Sequence, residues 1–280
     1  MADDPTAGAR AGTRRSSPAE LDAALAVAER ASRRAGAIQL ERYERFERVQ
    51  HKSSRDVVTE VDHLCEEVIL EEIRRAFPGD AILAEESGSH EGTGAGEASG
   101  RVWLVDPLDG TVNYANGLPF FCASVAMAVG GVVQAGVVFD PVHDELFSAI
   151  RGRGARLDGR AVRNPDKERL IDYVVSLGLK TREISVQEPT LRRTTRASRH
   201  LGSSALGLAY VACGRFDAFT QVTGMSNWDI AAAGLIAEEG GALVTTLAGE
   251  PWFDLSRPSA SVGLLAAPPR HHAELLALLR

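Results

Sequence analysis

Hydrophobic residues recur at helical spacing in two segments near the start of the chain. Residues 21–43 (LDAALAVAERASRRAGAIQLERY) place small and apolar side chains on one face. Before them, Ser17 and Glu20 supply the N-cap and the capping-box acid of a helix, with a proline at the first helical position. Residues 63–77 carry a second apolar face directly after Asp62. The pattern predicts two amphipathic helices, the second one following Asp62.

Short apolar runs in the middle of the chain are typical of strands. Residues 81–86 (AILAEE) and 102–107 (VWLVDP) predict two strands with acidic residues at their ends. Residues 122–150 contain three β-rich runs, separated by a Gly-Gly pair at 130 and an Asp-Pro pair at 140, which predicts an antiparallel meander. Residues 151–163 predict a solvated hairpin that turns at Asp158 and Gly159.

Beyond this hairpin, strands and helices alternate. The predicted elements are a strand at 173–179, a helix at 203–214, a strand at 216–222, a helix at 228–241, strands at 242–249 and 262–268, and a closing helix at 271–280. A helix pair, an antiparallel sheet and an alternating region together predict a layered α/β architecture with two sub-domains.

Composition narrows the kind of protein. The chain has 280 residues and a net charge of −7, which disfavours nonspecific binding to nucleic acid. An anionic substrate is still possible, because a bound metal ion inverts the local field. The three cysteines, Cys65, Cys122 and Cys213, are far apart in apolar surroundings, and we expect small buried core residues in a reducing cytoplasm. No apolar run suffices for a membrane span, and the first 20 residues read as a tail without a secretory signal.

Two further segments invite a phosphate-binding interpretation. Residues 88–100 (GSHEGTGAGEASG) are rich in glycine but lack the Lys-Ser/Thr end of a P-loop, so a mobile surface connection is expected there. Residues 192–200 (RRTTRASRH) predict a basic helix face. The alternative for this second segment is that its cations meet an anionic group of a substrate.

The acidic residues carry the strongest chemical signal. The motif WLVDPLDGT at 103–111 places Asp106 and Asp109 close together where a buried strand should end. Two adjacent carboxylates repel each other unless a cation lies between them. The other candidates each have a simpler explanation, because Asp62 and Asp229 begin predicted helices and Glu85 ends a predicted strand.

Taken together, these acids favour a metal site over separate structural roles. Oxygen ligands without histidine or cysteine are the donors that Mg²⁺ selects. Gly110 and Thr111, which follow Asp109, offer backbone N–H groups that bind an anion if a helix begins there. A metal cluster beside an anion cradle is the outline of a phosphoryl-transfer site.

Three blocks of the sequence resemble the inositol monophosphatase family, in the superfamily of lithium-sensitive, metal-dependent phosphatases. KSSRDVVTEVD at 52–62 is similar to the family's D-x-V-T-x-x-D block. AEES at 84–87, followed by the motif at 103–127, is similar to its G-E-E-S and W-x-x-D-P-x-D-G-T-x-N-F blocks. WDIAAAGLIAEEGG at 228–241 is similar to its W-D-x-A-A-G block. The resemblance implies a layered αβαβα sandwich of the inositol monophosphatase and fructose-1,6-bisphosphatase type.

The resemblance implies a role for each acid. One Mg²⁺ would be held by Glu85, Asp106 and the carbonyl of Leu108, and a second by Asp106, Asp109 and Asp229; a third, weaker ion would use Glu85 and water. Thr111, hydrogen-bonded to Asp62, would orient a metal-activated water for in-line attack on phosphorus. The N–H groups of Gly110 and Thr111 would hold the phosphate.

The substrate end of the site departs from the family pattern. Inositol-specific members carry a glutamate before the tryptophan at 228 that binds substrate hydroxyls, whereas Gln221 or Val222 stands here and the segment differs in length by one residue. A glutamine is a weaker acceptor than a carboxylate. Ser204, Gln221 and Asp109 are the predicted substrate contacts. Two other changes, Ala84 for glycine and Tyr114 for phenylalanine, are mild.

These observations predict a Mg²⁺-dependent phosphomonoesterase acting on inositol monophosphate or a similar small polyol phosphate. The alternatives on the same fold are histidinol phosphate, fructose 1,6-bisphosphate and 3′-phosphoadenosine 5′-phosphate as substrates. A different kind of role is that of a binding protein assisting RNA-processing or transcription machinery, as some bacterial relatives do. The resemblance also implies a homodimer inhibited by Li⁺.

The predicted domain organisation follows the change in pattern along the chain. We predict a disordered tail at 1–17 and an N-terminal α+β sub-domain with the metal site at 18–160. A C-terminal α/β sub-domain at 161–280 would complete the active site.

Overall fold

The computed structural model describes residues 16–45, 49–51, 57–92, 100–178 and 182–279. The predicted tail lies almost entirely outside these ranges, as do residues 93–99 of the expected mobile connection and the first residues of the block at 52–62.

The helices are α1 (Pro18–Arg42), α2 (Glu60–Ala76), α3 (Thr111–Ala115), α4 (Arg182–Thr194), α5 (Ser204–Ala212), α6 (Asn227–Glu239) and α7 (Pro269–Leu278), with a short 3-10 helix at Leu170–Asp172. The strands are β1 (Val49–His51), β2 (Val57–Thr59), β3 (Ala81–Ala84), β4 (Gly88–His90), β5 (Arg101–Asp109), β6 (Cys122–Val129), β7 (Val132–Asp140), β8 (Glu145–Ile150), β9 (Ala155–Leu157), β10 (Arg160–Val162), β11 (Val174–Leu177), β12 (Ala197–His200), β13 (Ala218–Met225), β14 (Leu243–Thr246) and β15 (Val262–Ala267).

Local capping explains where the first two helices begin. The Ser17 hydroxyl accepts from the N–H of Glu20, whose carboxylate accepts from the N–H of Ser17, so the predicted capping box is confirmed. Helix α2 begins at Glu60, earlier than predicted, because Thr59 is its N-cap and Asp62 occupies the third helical position. The Asp62 carboxylate accepts from the Thr59 N–H at 2.8 Å, which closes a second capping box. Asp62 therefore lies inside the first turn instead of preceding the helix.

Most of the first part of the chain forms an eight-stranded sheet with the order β10-β9-β8-β7-β6-β5-β3-β4. Strands β6, β7 and β8 are antiparallel neighbours, so the predicted meander is confirmed. Strands β9 and β10 form the predicted hairpin. Strand β3 runs parallel to β5, so that the carboxyl ends of both strands meet at one edge of the sheet.

A second, five-stranded sheet has the order β12-β11-β13-β15-β14. Three apolar clusters separate the layers of the fold. In the first cluster, α1 and α2 pack on the large sheet. In the second, α5 and α6 pack between the two sheets. In the third, α7 and one residue of α4 pack on the outer face of the small sheet. The predicted five-layer αβαβα order is confirmed.

Helix α6 comes close to the large sheet at a glycine of β7. A Cβ at Gly136 would lie 2.7 Å from the Cα of Ala232, so only glycine permits this approach. The contact holds the start of α6, which carries Asp229, beside the end of β5. Since α5 and α6 pack on both sheets, the division at residues 160 and 161 stays a prediction.

The basic segment 192–200 differs from its prediction as a helix face. Helix α4 ends at Thr194, and Ala197–His200 form an edge strand parallel to β11. The chain leaves the helix where the hydroxyl of Thr195 donates to the carbonyl of Leu191 at 2.7 Å and the N–H of Arg196 donates to Tyr173. Tertiary pairing with β11 therefore overrides the local helical pattern.

Two smaller expectations concern the burial of the cysteines and the length of the helices. Cys65 and Cys122 are buried as predicted, but Cys213 is only half-buried, at the end of α5. Within the described ranges, none of the helices is long and apolar enough to span a bilayer.

Candidate active site

An irregularity in strand β5 brings Asp106 and Asp109 to the same side of the sheet. Asp106 pairs with Ser124 on β6 and Asp109 pairs with Cys122, so three steps along β5 match two along β6. Residues two apart in β6 point to the same face, and each paired residue shares the face of its partner. The irregularity therefore places on one side two carboxylates that a regular strand would point in opposite directions.

Helix α1 and the turn itself stabilise this irregular backbone. The buried Gln39 of α1 donates to the carbonyl of Pro107 at 2.8 Å. The N–H of Leu108 donates to the Asp106 carboxylate at 3.1 Å. Gln39 was not predicted as a supporting residue, because it lies 68 positions away in sequence and its pattern is that of an ordinary helix.

The first turn of α5 holds Asp109 in place. Its Oδ2 accepts hydrogen bonds from the hydroxyl of Ser203 and from the N–H of Ala205, the latter at 2.7 Å. Burial raises the pKa of Asp109 to about 6, while these hydrogen bonds to the charged form lower it. Ser203 is also the N-cap of α5, so the same side chain caps the helix and orients the Asp109 carboxylate. The sequence analysis placed Ser203 at the first position of the predicted helix, whereas in the structure it is the N-cap.

Asp106 connects the remaining acids. It is 1% exposed, and the carboxyl groups of Glu85 and Asp229 are close enough to raise its pKa. Glu85 follows β3, and its N–H donates to the carbonyl of Val105 at 3.1 Å. Asp229 occupies the third position of α6 and accepts from the N–H of Ser226 at 2.7 Å. The predicted acids therefore meet, although they come from three elements.

The acids act on one another electrostatically. Burial is the largest cause that raises the pKa values of Asp106 and Asp229, and the neighbouring carboxylates of Glu85 and Asp109 raise both further. Contacts between carboxyl groups are stable only when a proton or a cation lies between them. The cluster is therefore a place where a positive charge is strongly stabilised.

The donor set of this cluster fits a hard divalent cation. The cluster offers carboxylate oxygens, and the carbonyl oxygen of Leu108 lies 2.9 Å from the Thr111 hydroxyl. Mg²⁺ prefers oxygen donors over nitrogen and sulfur. Among the described residues, no three Asp, Glu, His or Cys side chains have an arrangement that could hold a metal ion as it stands. The fit of this cluster to a divalent cation therefore rests on its oxygen donors and on the repulsion between its carboxylates.

Thr111 and Asp62 form the predicted hydrogen-bonded pair beside this cluster. The Thr111 hydroxyl lies 3.0 Å from Oδ1 of Asp62 and 2.9 Å from the carbonyl oxygen of Leu108. The other oxygen of Asp62 accepts from the hydroxyl of Thr59 at 2.6 Å. Asp62 is 1% exposed, so its position is fixed by these contacts and by helix α2.

The residues predicted to hold a phosphate lie at the start of the short helix α3. Gly110 is its N-cap with a φ of 98°, which a side chain would strain. A Cβ there would also lie 3.0 Å from the carbonyl oxygen of Phe120. Thr111 is the first helical residue, and an N–H at this position has no partner within a helix.

Comparison with known proteins decides the family. The model of the inositol monophosphatase family matches residues 20–280. This chain belongs to the inositol monophosphatase family. It is 40% identical over 260 residues to the Nus factor SuhB of Pasteurella multocida, covering 90% of this chain and 94% of that protein. It is also 36% identical over 237 residues to inositol monophosphatase 2 of Solanum lycopersicum, covering 82% and 89% of the two chains.

Solved structures of inositol monophosphatase family members have the same fold. The suhB protein of Bartonella henselae superposes with a TM-score of 0.84 at 33% identity, covering 92% of this chain and 98% of that one. An IMPase of Thermotoga maritima has a TM-score of 0.81 at 32% identity, covering 93% and 96%. Membership of the inositol monophosphatase family supports a phosphatase, and the family in general uses Mg²⁺.

The substrate contacts predicted from the inositol monophosphatase pattern are less open to solvent than expected. Gln221 is only 1% exposed. Its carbonyl oxygen accepts from the Ser204 hydroxyl at 2.9 Å, and its amide nitrogen donates to the carbonyl of Thr223 at 3.0 Å. Ser204 is half-buried, whereas Val222, the alternative to Gln221, is part of an irregular stretch of β13. The structure therefore brings Ser204 and Gln221 together as a pair.

Glu66 is a supporting residue that the family motifs did not identify. Its two carboxylate oxygens accept from the N–H groups of Glu86 and Ser87, each at 2.9 Å. These N–H groups directly follow Glu85 in the chain. Glu66 also lies one turn after Asp62 on α2, so one helix face supports two parts of the site.

Replacing Glu66 tests this support. In Glu66→Gln an amide NH₂ would face one of the two N–H donors, so that this donor loses its hydrogen bond to a charged acceptor. We expect a cost of about 1–3 kcal/mol and a melting temperature several degrees lower for the metal-free protein, measured by calorimetry. Glu67→Gln, at the neighbouring exposed position on α2, is the matched control and should melt like the wild type. Equal melting temperatures for both variants would contradict the proposed support.

An apolar pocket of about 510 Å³ adjoins the site. Asn113 lies on its wall and donates to the carbonyls of Phe120 and Leu201, at 2.7 and 2.6 Å. These bonds tie the loop after α3 to the loop before α5. Leu118, also on the wall, is 53% exposed.

Proposed function

We propose that this chain is a Mg²⁺-dependent phosphomonoesterase that hydrolyses inositol monophosphate or a similar small polyol phosphate. The observation that carries the proposal is a buried cluster in which the carboxyl groups of Asp106, Glu85 and Asp229 lie close together. The hydrogen-bonded pair of Thr111 and Asp62 lies beside this cluster. Such a cluster favours a divalent cation, and the adjacent hydroxyl is where a nucleophile would be oriented. Family membership supports the same class of reaction.

The proposed metal ligands follow from the donors in the cluster. Glu85, Asp106 and the carbonyl of Leu108 would hold one ion, and Asp106, Asp109 and Asp229 would hold a second, with Asp106 contributing to both. A third, weaker ion would use Glu85 and water. Bound Mg²⁺ supplies Lewis-acid stabilisation of the charge that develops on the attacking and leaving oxygens of a phosphate ester.

Thr111 would orient the attacking water. Its single hydroxyl hydrogen cannot serve Asp62 and the Leu108 carbonyl at once. When that carbonyl acts as a ligand, the hydrogen is donated to Asp62, and the oxygen of Thr111 is left to accept a hydrogen bond from water. The carboxylate of Asp62 cannot rotate away, because its second oxygen is bonded to Thr59.

The phosphate and the leaving group would be held by the surrounding backbone and polar side chains. The N–H groups of Gly110 and Thr111 are oriented by the left-handed turn before α3, and they would bind the phosphate oxygens. Asp109 and Ser204 would contact the leaving group. In-line attack by water would break the bond between phosphorus and the leaving oxygen, which takes up a proton that water loses, and would release inorganic phosphate without a covalent phosphoenzyme.

A substrate panel tests the proposal. Phosphate release is measured from myo-inositol 1-phosphate, histidinol phosphate, fructose 1,6-bisphosphate and 3′-phosphoadenosine 5′-phosphate, with Mg²⁺ and with EDTA. We expect Mg²⁺-dependent release that is fastest from myo-inositol 1-phosphate. Selective hydrolysis of the nucleotide would overturn the polyol assignment, and no release from any of the four esters would overturn the phosphatase assignment for these substrates.

A second candidate function is that of a binding protein assisting RNA-processing or transcription machinery. The observation that favours it is the identity of 40% to a protein named Nus factor SuhB. The net charge of −7 disfavours direct contact with RNA, so protein partners are the more consistent choice. Protein pull-down at several salt concentrations tests this role.

We also propose, from the family, that the chain forms a homodimer and is inhibited by Li⁺, and, from its cysteines, that it is cytoplasmic. The apolar pocket with the exposed Leu118 gives one surface on which a second copy could pack. Light scattering coupled to gel filtration measures the mass in solution, and a monomer at micromolar concentration would contradict the dimer.

A further inference from the structure

The peptide group between Pro107 and Leu108 lies in the irregular part of β5. Asp106 and Asp109 are paired with β6, whereas the register passes over the two residues between them. Both of these residues are buried, and a buried carbonyl needs a hydrogen-bond donor. Gln39 of α1 donates to the Pro107 carbonyl at 2.8 Å. The N–H of the same peptide group donates to the Asp106 carboxylate at 3.1 Å. One peptide group therefore connects helix α1 to an acid of the site.

The backbone of Gln39 holds the other end of the same segment. Its carbonyl accepts from the hydroxyl of Tyr114, in the short helix α3, at 2.8 Å. Both hydrogen bonds are buried, since Gln39 and Tyr114 are 0% exposed. Between the two contacts lie the Leu108 carbonyl, Asp109 and the N–H groups proposed to hold the phosphate. One residue of α1 is therefore bonded to this segment at both ends.

The amide of Gln39 is oriented by its contact with Pro107. A backbone carbonyl only accepts hydrogen bonds, so the NH₂ group of the amide must face Pro107. The amide oxygen is buried, and among the described residues it has no hydrogen-bond partner. An apolar side chain would avoid this buried acceptor, but it would remove the donor from the Pro107 carbonyl. Gln39 therefore contributes a specific hydrogen bond in addition to packing.

We propose that Gln39 is a positioning residue that gives the acid cluster its selectivity for Mg²⁺ over the larger Ca²⁺. This inference rests on the proposed phosphatase function and concerns the ion that this function requires. Mg²⁺ demands near-ideal octahedral geometry and short ligand distances, whereas Ca²⁺ accepts longer and more irregular ones. Gln39 holds the peptide group that orients Asp106 and precedes the Leu108 carbonyl, so it restricts two proposed ligands to one arrangement. A looser turn disfavours Mg²⁺ more than Ca²⁺.

Isothermal titration calorimetry without substrate measures the Kd of each ion. In Gln39→Met, a side chain of similar length, the donor to Pro107 is lost while the packing is largely kept. We expect the Kd for Mg²⁺ to rise about 10-fold, which is typical of losing a group that orients a metal ligand. The Kd for Ca²⁺ should rise by about 3-fold or less. The ratio of the two Kd values tests the inference, because a general loss of structure weakens the binding of both ions alike.

A second variant tests the other end of the segment. Tyr114→Phe removes the hydroxyl that donates to the Gln39 carbonyl and keeps the ring that packs on Phe121. The ratio of the two Kd values should change in the same direction as in Gln39→Met. This variant also tests the inference if Gln39→Met does not fold.

Two controls separate positioning from a loss of stability. Gln134→Met removes an amide that also donates to a backbone carbonyl, that of Val132 at 3.3 Å, near the turn between β6 and β7. Leu275→Ala leaves a cavity in the apolar cluster beneath α7 and lowers the stability without touching the turn. Neither substitution should change the ratio of the two Kd values.

The outcomes distinguish this inference from the proposed function. An unchanged ratio in Gln39→Met, or an equal rise of both Kd values, would overturn the role of Gln39 in selectivity. Mg²⁺-dependent hydrolysis by the wild type would then leave the phosphatase function standing. A wild type that binds neither ion and hydrolyses none of the four esters would overturn the proposed function, and the inference with it.

Discussion

Asp109→Asn is expected to lower kcat/KM for the hydrolysed phosphate ester by about 100-fold or more, the loss of several kcal/mol that a missing metal ligand implies. The asparagine carbonyl can still accept from Ser203 and Ala205, as the Asp109 carboxylate does. The substitution therefore removes the charge and keeps the local hydrogen bonds. Steady-state kinetics over a range of Mg²⁺ concentrations should show that more Mg²⁺ is needed for half-maximal activity.

The stability of the same variant provides an independent control. The pKa of Asp109 is raised in the folded protein to about 6, above its ordinary value of 3.8. Keeping it charged therefore destabilises the fold progressively as the pH rises through this interval. Metal-free Asp109→Asn should melt at or above the wild-type temperature at pH 7.5, and the difference should shrink toward pH 4. Mg²⁺ should then stabilise the wild type more than the variant.

Asp144→Asn makes the same change of charge on an exposed turn and serves as the matched control. Asp144 has a positive φ of 52°, a conformation that asparagine also accommodates. Its activity and its response to Mg²⁺ should equal those of the wild type. Full activity of Asp109→Asn, or an unchanged response to Mg²⁺, would remove Asp109 from the proposed ligand set.

Thr111→Ala is the second substitution with a large expected effect. If the hydroxyl only orients the attacking water, its loss should lower kcat by about 100-fold, the lower end of what a positioned proton-transfer group contributes. The Mg²⁺ concentration for half-maximal activity should change little, because the carboxylates are untouched. Kinetics with Mg²⁺ and substrate varied in turn separate the two effects.

Thr111→Ser is the conservative companion, because it restores a hydroxyl able to reach Asp62. Its kcat should recover to within about tenfold of the wild type, in keeping with a group whose oxygen is the functional atom. A Thr111→Ala variant with normal kcat, or a Thr111→Ser variant as slow as the alanine variant, would contradict the orienting role. Asp62→Asn should resemble Thr111→Ala if the two residues act as a pair.

Local signals in the sequence were sufficient for many elements. The capping box of Ser17 and Glu20, the Gly-Gly turn of the meander and the Asp158–Gly159 hairpin each depend on residues close together in the chain. Residues 192–200 show the limit of such signals. Their pairing with β11 depends on contacts with a distant strand, and the helical pattern alone predicted a different structure.

Motifs identified the acids of the candidate site but not the residues that support them. Gln39, Glu66 and Ser203 bind the Pro107 carbonyl, the backbone after Glu85 and the carboxylate of Asp109. Each is separated in sequence from its partner, and each occurs in an ordinary helical or capping pattern. Gln221 was predicted to contact the substrate because of its place in the motif, whereas in the structure it is buried and hydrogen-bonded to Ser204 and to the carbonyl of Thr223.

The sequence by itself determined the family, the layered fold class, most helices and strands, and the set of candidate acids. The family and its fold were implied by the three motif blocks, whereas the helices and strands follow from hydrophobic period and turn chemistry, which are local. Only the tertiary structure decided that Asp106 and Asp109 share a face, that Asp229 reaches them from another element, and that the Ser204 hydrogen is donated to Gln221. These facts depend on strand register, a helix packed at a glycine and the matching of donors to acceptors, which arise when distant segments meet.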